Sequence, residues 1–196
     1  KFPDEWVIRG NHQDAWVNGA SDPVSGLSSM LEEAKSIGVM MKNGWKPDRT
    51  LVYCAWDGEE PGLLGSTEWL ETHQKELQQK AVVYINSDNN ERGFLYAEGS
   101  HALEPLMDEI AKTVMDPQTH VSLFERAKAH EAVTAANLDA RKKVADEKEL
   151  KLGAMGSGSD YSSFIQHAGI PALNLGFGGE GNGGEYHSIY DSYDNY

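Results

Sequence analysis

Four short runs along the chain are largely apolar and rich in β-branched or aromatic residues: 5–10 (Glu-Trp-Val-Ile-Arg-Gly), 50–56 (Thr-Leu-Val-Tyr-Cys-Ala-Trp), 81–86 (Ala-Val-Val-Tyr-Ile-Asn) and 170–175 (Ile-Pro-Ala-Leu-Asn-Leu). Runs of this length and make-up are expected as buried strands. Between the first two, Val24, Leu27, Met30, Leu31, Ala34, Gly38 and Met41 recur at helical spacing, and Gly44 followed by Pro47 supplies a stop. This predicts a core-facing helix. Further helices are expected over 63–79, over 103–115 and over 160–168 ahead of Gly169. Buried strands alternating with helices predict an α/β fold with three layers, α/β/α, around a mostly parallel mixed sheet. Residues 125–151 break the pattern, because Ala, Lys, Glu and Asp predominate there and apolar content is weak. A charged helical excursion is expected, serving as solvated surface or as a lid or docking arm. The glycine-rich stretch 176–184 lacks the spacing and following helix of a phosphate cradle and reads as a flexible loop.

At 196 residues the chain is expected to form one domain spanning 1–196. Hydrophobic residues at 39% and charged residues at 24% exclude global disorder. The formal charge of −14 makes a nucleic-acid partner unexpected, since phosphates are neutralised by basic surfaces. The single cysteine, Cys54, lies in an apolar run and reads as a buried thiol. No stretch of about 18 apolar residues exists, so no membrane span is expected in this segment. The start directly before a strand, without a signal peptide, fits a piece of a longer precursor.

In open α/β sheets ligands gather outside the carboxyl ends of the strands. Here those ends carry Asn11-His12-Gln13-Asp14 with Ser21-Asp22-Pro23 further on, Asp57-Gly58-Glu59-Glu60, Ser87-Asp88-Asn89, and Glu185-Tyr186-His187. A pair of divalent ions about 3.5–4 Å apart needs a bridging carboxylate, further His and carboxylate ligands, and an open position for water. His12, Asp22, Glu60, Asp88 and His187 supply that set. Two imidazoles among the donors favour zinc over calcium or magnesium, with cobalt or manganese as substitutes.

Five blocks in order, His12 to Gly26, Trp56 to Trp69, Tyr84 to Asp88, Gly156 to Asp160 and Tyr186 to Ser188, closely resemble the peptidase domain of the glutamate carboxypeptidase II and transferrin receptor-like family of co-catalytic zinc aminopeptidases. The likeness is weakest over about 94–152. It implies zinc-exopeptidase architecture and two zinc ions per chain, one held by His12 and Asp88, the other by Glu60 and His187, with Asp22 as the bridge. Glu59 would be the general base for a metal-bridged hydroxide, Asp14 would orient the His12 imidazole, and Tyr186 would line the substrate site. A cis peptide is expected at Asp22-Pro23. Asp160 reads more readily as a helix N-cap than as a site residue. Glu68 and Glu71 match a calcium half-site of the carboxypeptidase, but the other ligands belong to a part of that relative outside this sequence, so structural calcium is not expected.

Where the carboxypeptidase gathers arginines around an acidic substrate, this chain has Arg92-Gly-Phe-Leu-Tyr-Ala-Glu98 and Leu173-Asn-Leu-Gly-Phe-Gly178. The arginine cluster is missing, so a peptide or small aminoacyl substrate with a free amino terminus is expected rather than an acidic dipeptide. The protease-associated and dimerisation domains of such relatives are also missing, and a homodimer is expected only in a longer chain. Two other readings stay open, a metal-free scaffold like the transferrin receptor and a single-zinc acyltransferase resembling glutaminyl cyclase. By resemblance the protein is expected to be secreted, periplasmic or extracellular.

Overall fold

The computed structural model describes residues 1–181 and 185–196. Five strands, β1 (Phe2–His12), β2 (Arg49–Trp56), β3 (Ala81–Asn86), β4 (Gly93–Gly99) and β5 (Ala172–Gly179), form one sheet in the order β2-β1-β3-β5-β4. β1, β2, β3 and β5 are parallel, and β4 closes one edge antiparallel to β5. Helices α1 (Gly26–Lys42) and α2 (Leu64–Lys80) connect β1 to β2 and β2 to β3. The first crossover steps outward from β1 and the second steps back across it, so right-handed connections place α1 and α2 on opposite faces. Helices α3 (Glu104–Thr113), α4 (Leu123–Thr134) and α5 (Leu138–Asp146) follow β4.

The core forms where α2 and the segment 161–170 meet the sheet. Ile8, Leu70, Leu77, Tyr84 and Phe164 are fully buried, and the Tyr84 and Phe164 rings stack with centroids 3.9 Å apart. Trp56 donates from Nε1 to the Tyr84 hydroxyl at 3.0 Å, which in turn donates to Asn86 Oδ1 at 2.9 Å. Gly10 makes this possible, because a Cβ there would collide with the Tyr84 phenol and the Trp56 indole nitrogen.

Several sequence expectations are corrected. β4 is a strand that the hydrophobic pattern did not mark, since Gly93 and Gly99 frame it and Glu98 interrupts its apolar run. β5 continues through Gly176, Gly178 and Gly179, so the first part of the expected glycine loop, 176–179, is sheet; 180–181 are bends, and 182–184 lie outside the described residues. Glycine suits this strand because the Tyr96 ring of β4 lies across Gly176, where a side chain would clash. The charged excursion is two helices, broken at 135–137, with Asn137 Oδ1 capping α5 by accepting from Ala140 N at 2.9 Å. The helix expected over 160–168 is a short α turn continued as a wide π turn over Ser163–His167. α1 is less core-facing than its spacing predicts. Met30 is buried, but Leu31, Met40 and Met41 are exposed because among the described residues nothing covers that flank. Asp22-Pro23 is a cis peptide.

Candidate metal centre

The carboxyl ends of β1, β2 and β3 bring four of the expected residues together, and His187 joins them from the last segment of the chain. His12, the final residue of β1, is buried, and its Nε2 lies 3.0 Å from Asp88 Oδ1 and 3.1 Å from Asp22 Oδ1. On the other side of Asp22, His187 Nε2 lies 2.9 Å from Oδ2 and 3.3 Å from Glu60 Oε2. Two three-residue clusters result, His12–Asp22–Asp88 and Asp22–Glu60–His187, and they share Asp22.

The hydrogen bonding makes each cluster suitable for a cation. The backbone carbonyl of Asp14 can only accept, so His12 Nδ1, 3.0 Å away, is the donor there. In a neutral imidazole that leaves the Nε2 lone pair facing two carboxylates, an arrangement that requires a proton or a metal between them. Burial opposes charge on His12, but the Asp22 and Asp88 carboxylates outweigh it and hold the imidazolium up to about 11. Asp88 is pulled below the ordinary carboxylate range, its burial outweighed by the hydrogen bond and charge of His12. Glu60 Oε1 is buried without a hydrogen-bond partner, and Asp22 Oδ1 has only the contact with His12 Nε2 that Asp88 shares. Buried acceptors left open in this way are costly unless something fills them. A donor set of two imidazoles and three carboxylates with open lone pairs fits zinc.

Local folding explains how Glu59 and Glu60 both reach the site. After β2 the chain turns tightly, with Gly58 at φ 68° and Gly62 at φ 130° in conformations that only glycine adopts easily. Gly62 and Leu63 both donate to the Glu59 carbonyl, at 2.9 and 2.7 Å. Asp14 fixes this turn from the β1 side, its Oδ1 accepting from Glu59 N at 3.0 Å and Oδ2 from Glu60 N at 3.2 Å. Its carboxylate therefore holds the acidic turn, whereas its carbonyl is nearer to His12. Glu59 is half-buried, and burial pushes its carboxyl up to about 8 although His12 opposes the shift. The Tyr186 ring stacks on His187 at 3.7 Å between centroids, and burial raises its phenol to about 12. His187 itself has φ 57°, an uncommon backbone state for a side chain of its kind and typical of constrained functional positions.

Two acids contribute in ways that the sequence did not signal. Asp191 is buried and accepts from Ser21 N at 2.7 Å and from Asp22 N at 3.2 Å, so it anchors the backbone that presents the shared aspartate. It follows no strand, and nothing in its neighbourhood marks it. Asp160 caps nothing: both its oxygens are buried without hydrogen-bond partners, and burial lifts its carboxyl to about 6. Glu71 of the calcium half-site pairs with His167 at 3.3 Å.

A mostly parallel α/β sheet with acidic and histidine side chains converging beyond its strand ends is an architecture suited to a metallohydrolase-type domain. The model of peptidase family M28 matches residues 1–196. A probable glutamate carboxypeptidase of Zea mays, VP8, is 38% identical over 197 residues, covering 97% of this chain and 25% of the maize protein. Aminopeptidase NAALADL1 of Rattus norvegicus is 32% identical over 202 residues, covering 98% of this chain and 26% of its own length. Among solved structures, the zinc aminopeptidase BSAP of Bacillus subtilis superposes over 100% of this chain and 42% of its own, with TM-score 0.60 and 23% identity, a likeness of fold. The chain belongs to peptidase family M28. It spans about a quarter of the length of the relatives it matches.

Proposed function

We propose that this chain is the catalytic segment of a two-zinc exopeptidase that cleaves a terminal peptide bond, with aminopeptidase action favoured over cleavage of acidic dipeptides. The observation that carries the reading is Asp22, whose two carboxylate oxygens face His12 on one side and His187 on the other. His12, Asp88 and one oxygen of Asp22 would hold one ion; Glu60, His187 and the other oxygen would hold the second. Bound zinc supplies Lewis acidity, polarising a carbonyl and lowering the pKa of water toward about 7.

The chain's own residues do the rest. Glu59, fixed through its backbone by Asp14 and half-buried beside His12, accepts the proton of the attacking water at its carboxylate and passes it to the leaving amine. Tyr186, kept protonated by its high pKa, lies against His187 and donates a hydrogen bond to the carbonyl oxygen as charge develops there. The names of the relatives cover both carboxypeptidase and aminopeptidase action. Glu98 beside the site and the charge of −14 favour the latter, because they repel an acidic substrate. By its resemblance to such peptidases we propose that the protein acts in the periplasm or outside the cell, which fractionation of the natural source would test.

Elemental analysis of Glu59→Gln next to the natural chain tests the mechanism. Two zinc ions in both proteins, with hydrolysis of aminoacyl amides lost only in the variant, is the expected result. Cleavage by the variant at the natural rate would remove Glu59 as the base. A single ion in the natural chain would instead support a one-zinc acyltransferase.

A further inference from the structure

The two stretches that present Asp22 and His187 are fastened to each other bond by bond. Asn18 Nδ2 donates to the Ile189 carbonyl at 2.8 Å, and Ala20 N donates to the Asp191 carbonyl at 3.2 Å. Ser21 N and Asp22 N then donate to the two carboxylate oxygens of Asp191. The series ends where His187 Nε2 meets Asp22 Oδ2 at 2.9 Å. Ser21, Asp22 and Asp191 are buried, whereas Asn18, at the outer end, is exposed.

Asn18 is followed by Gly19, and that dipeptide carries its own chemistry. A peptide nitrogen can attack the carboxamide carbon of the asparagine before it. The new N–Cγ bond closes a five-membered succinimide, the Cγ–Nδ2 bond breaks, and ammonia leaves with the proton of the peptide N–H. Water then opens the ring at either carbonyl to give aspartate or the β-linked isoaspartate, so the net exchange is water in and ammonia out. Glycine puts no side chain in the way of the attack. Among the described residues Gly19 N donates to no acceptor, so the nucleophile is not tied down. The exposed Asn43-Gly44 pair after α1 differs, because there Gly44 N donates to the Met41 carbonyl at 3.1 Å. A third such pair, Asn182-Gly183, lies outside the described residues. What restrains Asn18 is the bond from its carboxamide to Ile189, and so the fastening itself.

Either product breaks the series at its outer end. Aspartate at position 18 has only acceptors, and would set a carboxylate against the Ile189 carbonyl. Isoaspartate adds a methylene to the main chain directly before Gly19, where there is no slack. A Cβ on Gly19 would already stand 2.5 Å from the Ala15 Cβ and 2.9 Å from the Asp22 carbonyl oxygen. We propose that Asn18-Gly19 is a spontaneous deamidation site guarded by this fastening, and that reaction there irreversibly weakens the Asp22–His187 half of the metal centre. A cation held between Asp22 and His187 stabilises the closed arrangement and thereby protects Asn18. The inference rests on the two-zinc reading for what fills that half, whereas the chemistry of Asn18 does not.

Peptide mapping by mass spectrometry, with zinc-loaded and chelated chains incubated side by side at mildly alkaline pH, follows Asn18 and Asn43 in the same molecules. Zinc at 100 times its dissociation constant should slow conversion at Asn18 by up to about 100-fold and leave Asn43 unchanged. Chains converted at Asn18 should then take back one zinc rather than two. Asn18→Gln, whose longer side chain closes a six-membered ring far more slowly, should take back all the zinc that it lost. Equal rates at Asn18 with and without zinc, an inert Asn18 beside a reacting Asn43, or recovery of both ions by converted chains would each overturn the proposal. A chain that binds no zinc at the outset would sink the two-zinc reading instead. The guard is then tested by Asp191→Ala, which should speed conversion at Asn18 and not at Asn43; an unchanged rate at Asn18 would overturn it.

Discussion

Two clusters of buried charge in the molecule are treated in opposite ways. Around Asp22, two imidazoles and three carboxylates converge with buried oxygens left unpartnered. Around Arg126, on α4, the guanidinium is nearly buried and its partners close round it: Asp116, Glu180 at 2.7 Å, the Gly93 carbonyl at 3.1 Å, and the Phe94 ring 4.9 Å below. Asp116 is in turn saturated by the Thr119 N–H and hydroxyl and the Gln118 N–H. The second cluster is complete and fastens the helical excursion to β4 and to the end of β5. The first is complete only with something added. Satisfaction of lone pairs, rather than burial or charge, therefore separates a structural ion cluster from a binding centre.

The sharpest way to break this contrast is at the shared residue. Asp22→Asn should reduce zinc from two ions to one at most and lower hydrolysis by more than about 10³-fold, in the range that loss of an essential catalytic group produces; two ions bound at unchanged affinity would end the bridging role. Next in size, Arg126→Ala should cost about 3 kcal/mol in urea unfolding, because it leaves acids without their cation, and it should leave zinc content untouched. Replacing Arg126, Asp116 and Glu180 together by apolar residues of similar volume should recover most of that loss, whereas no apolar replacement of Asp22, Asp88 and Glu60 can restore activity. Zinc at 100 times its dissociation constant should stabilise the folded chain by about 2.7 kcal/mol, read as a rise in melting temperature that chelation reverses. Zinc without effect on melting would leave the open oxygens unexplained.

Smaller effects sharpen the two descriptions further. Asp191→Asn should weaken zinc binding by about 10–100-fold, as loss of a partner that orients a ligand usually does, while global stability changes less. On the closed cluster, burial opposes ionisation of Asp116, but the Thr119 and Gln118 donors and Arg126 overcome it and hold the carboxyl at about 2, below its ordinary 3.8. A depressed carboxyl contributes stability above its unfolded value and loses it as pH falls through the folded one. The Asp116 contribution to the unfolding midpoint should therefore be constant above about pH 5 and be lost between pH 4 and 2, with that acid-side decline reduced in Asp116→Asn.

How far the sequence revealed this can be judged residue by residue. β1, β2 and β3 were legible because each is a compact apolar run ending in polar residues, and His12, Glu60 and Asp88 were legible because they follow those runs directly. Asp22 and His187 became legible through the motifs around them, and the structure brings both to the same place. β4 was not, because its framing glycines and Glu98 conceal a strand, although Ala97 packs on the cluster of Met107, Leu152 and Leu173. Asp191 escaped because its partners are backbone groups far away in the chain, and the Arg126 cluster because Gly93 and Glu180 reach it from 33 and 54 positions away. Asp160 was read as a cap because Gly-Ser-Asp ahead of a helix usually supplies one, and tertiary burial overrode that local preference.

The row of Gly10, Asn86, Asn174 and Glu98, level across β1, β3, β5 and β4, also separates nearness in space from nearness in sequence. Positions 98 and 174 stand 76 apart along the chain, yet sheet pairing sets them opposite each other. The order of the strands, rather than the helices between them, decides which residues stand level with Asn86 on either side.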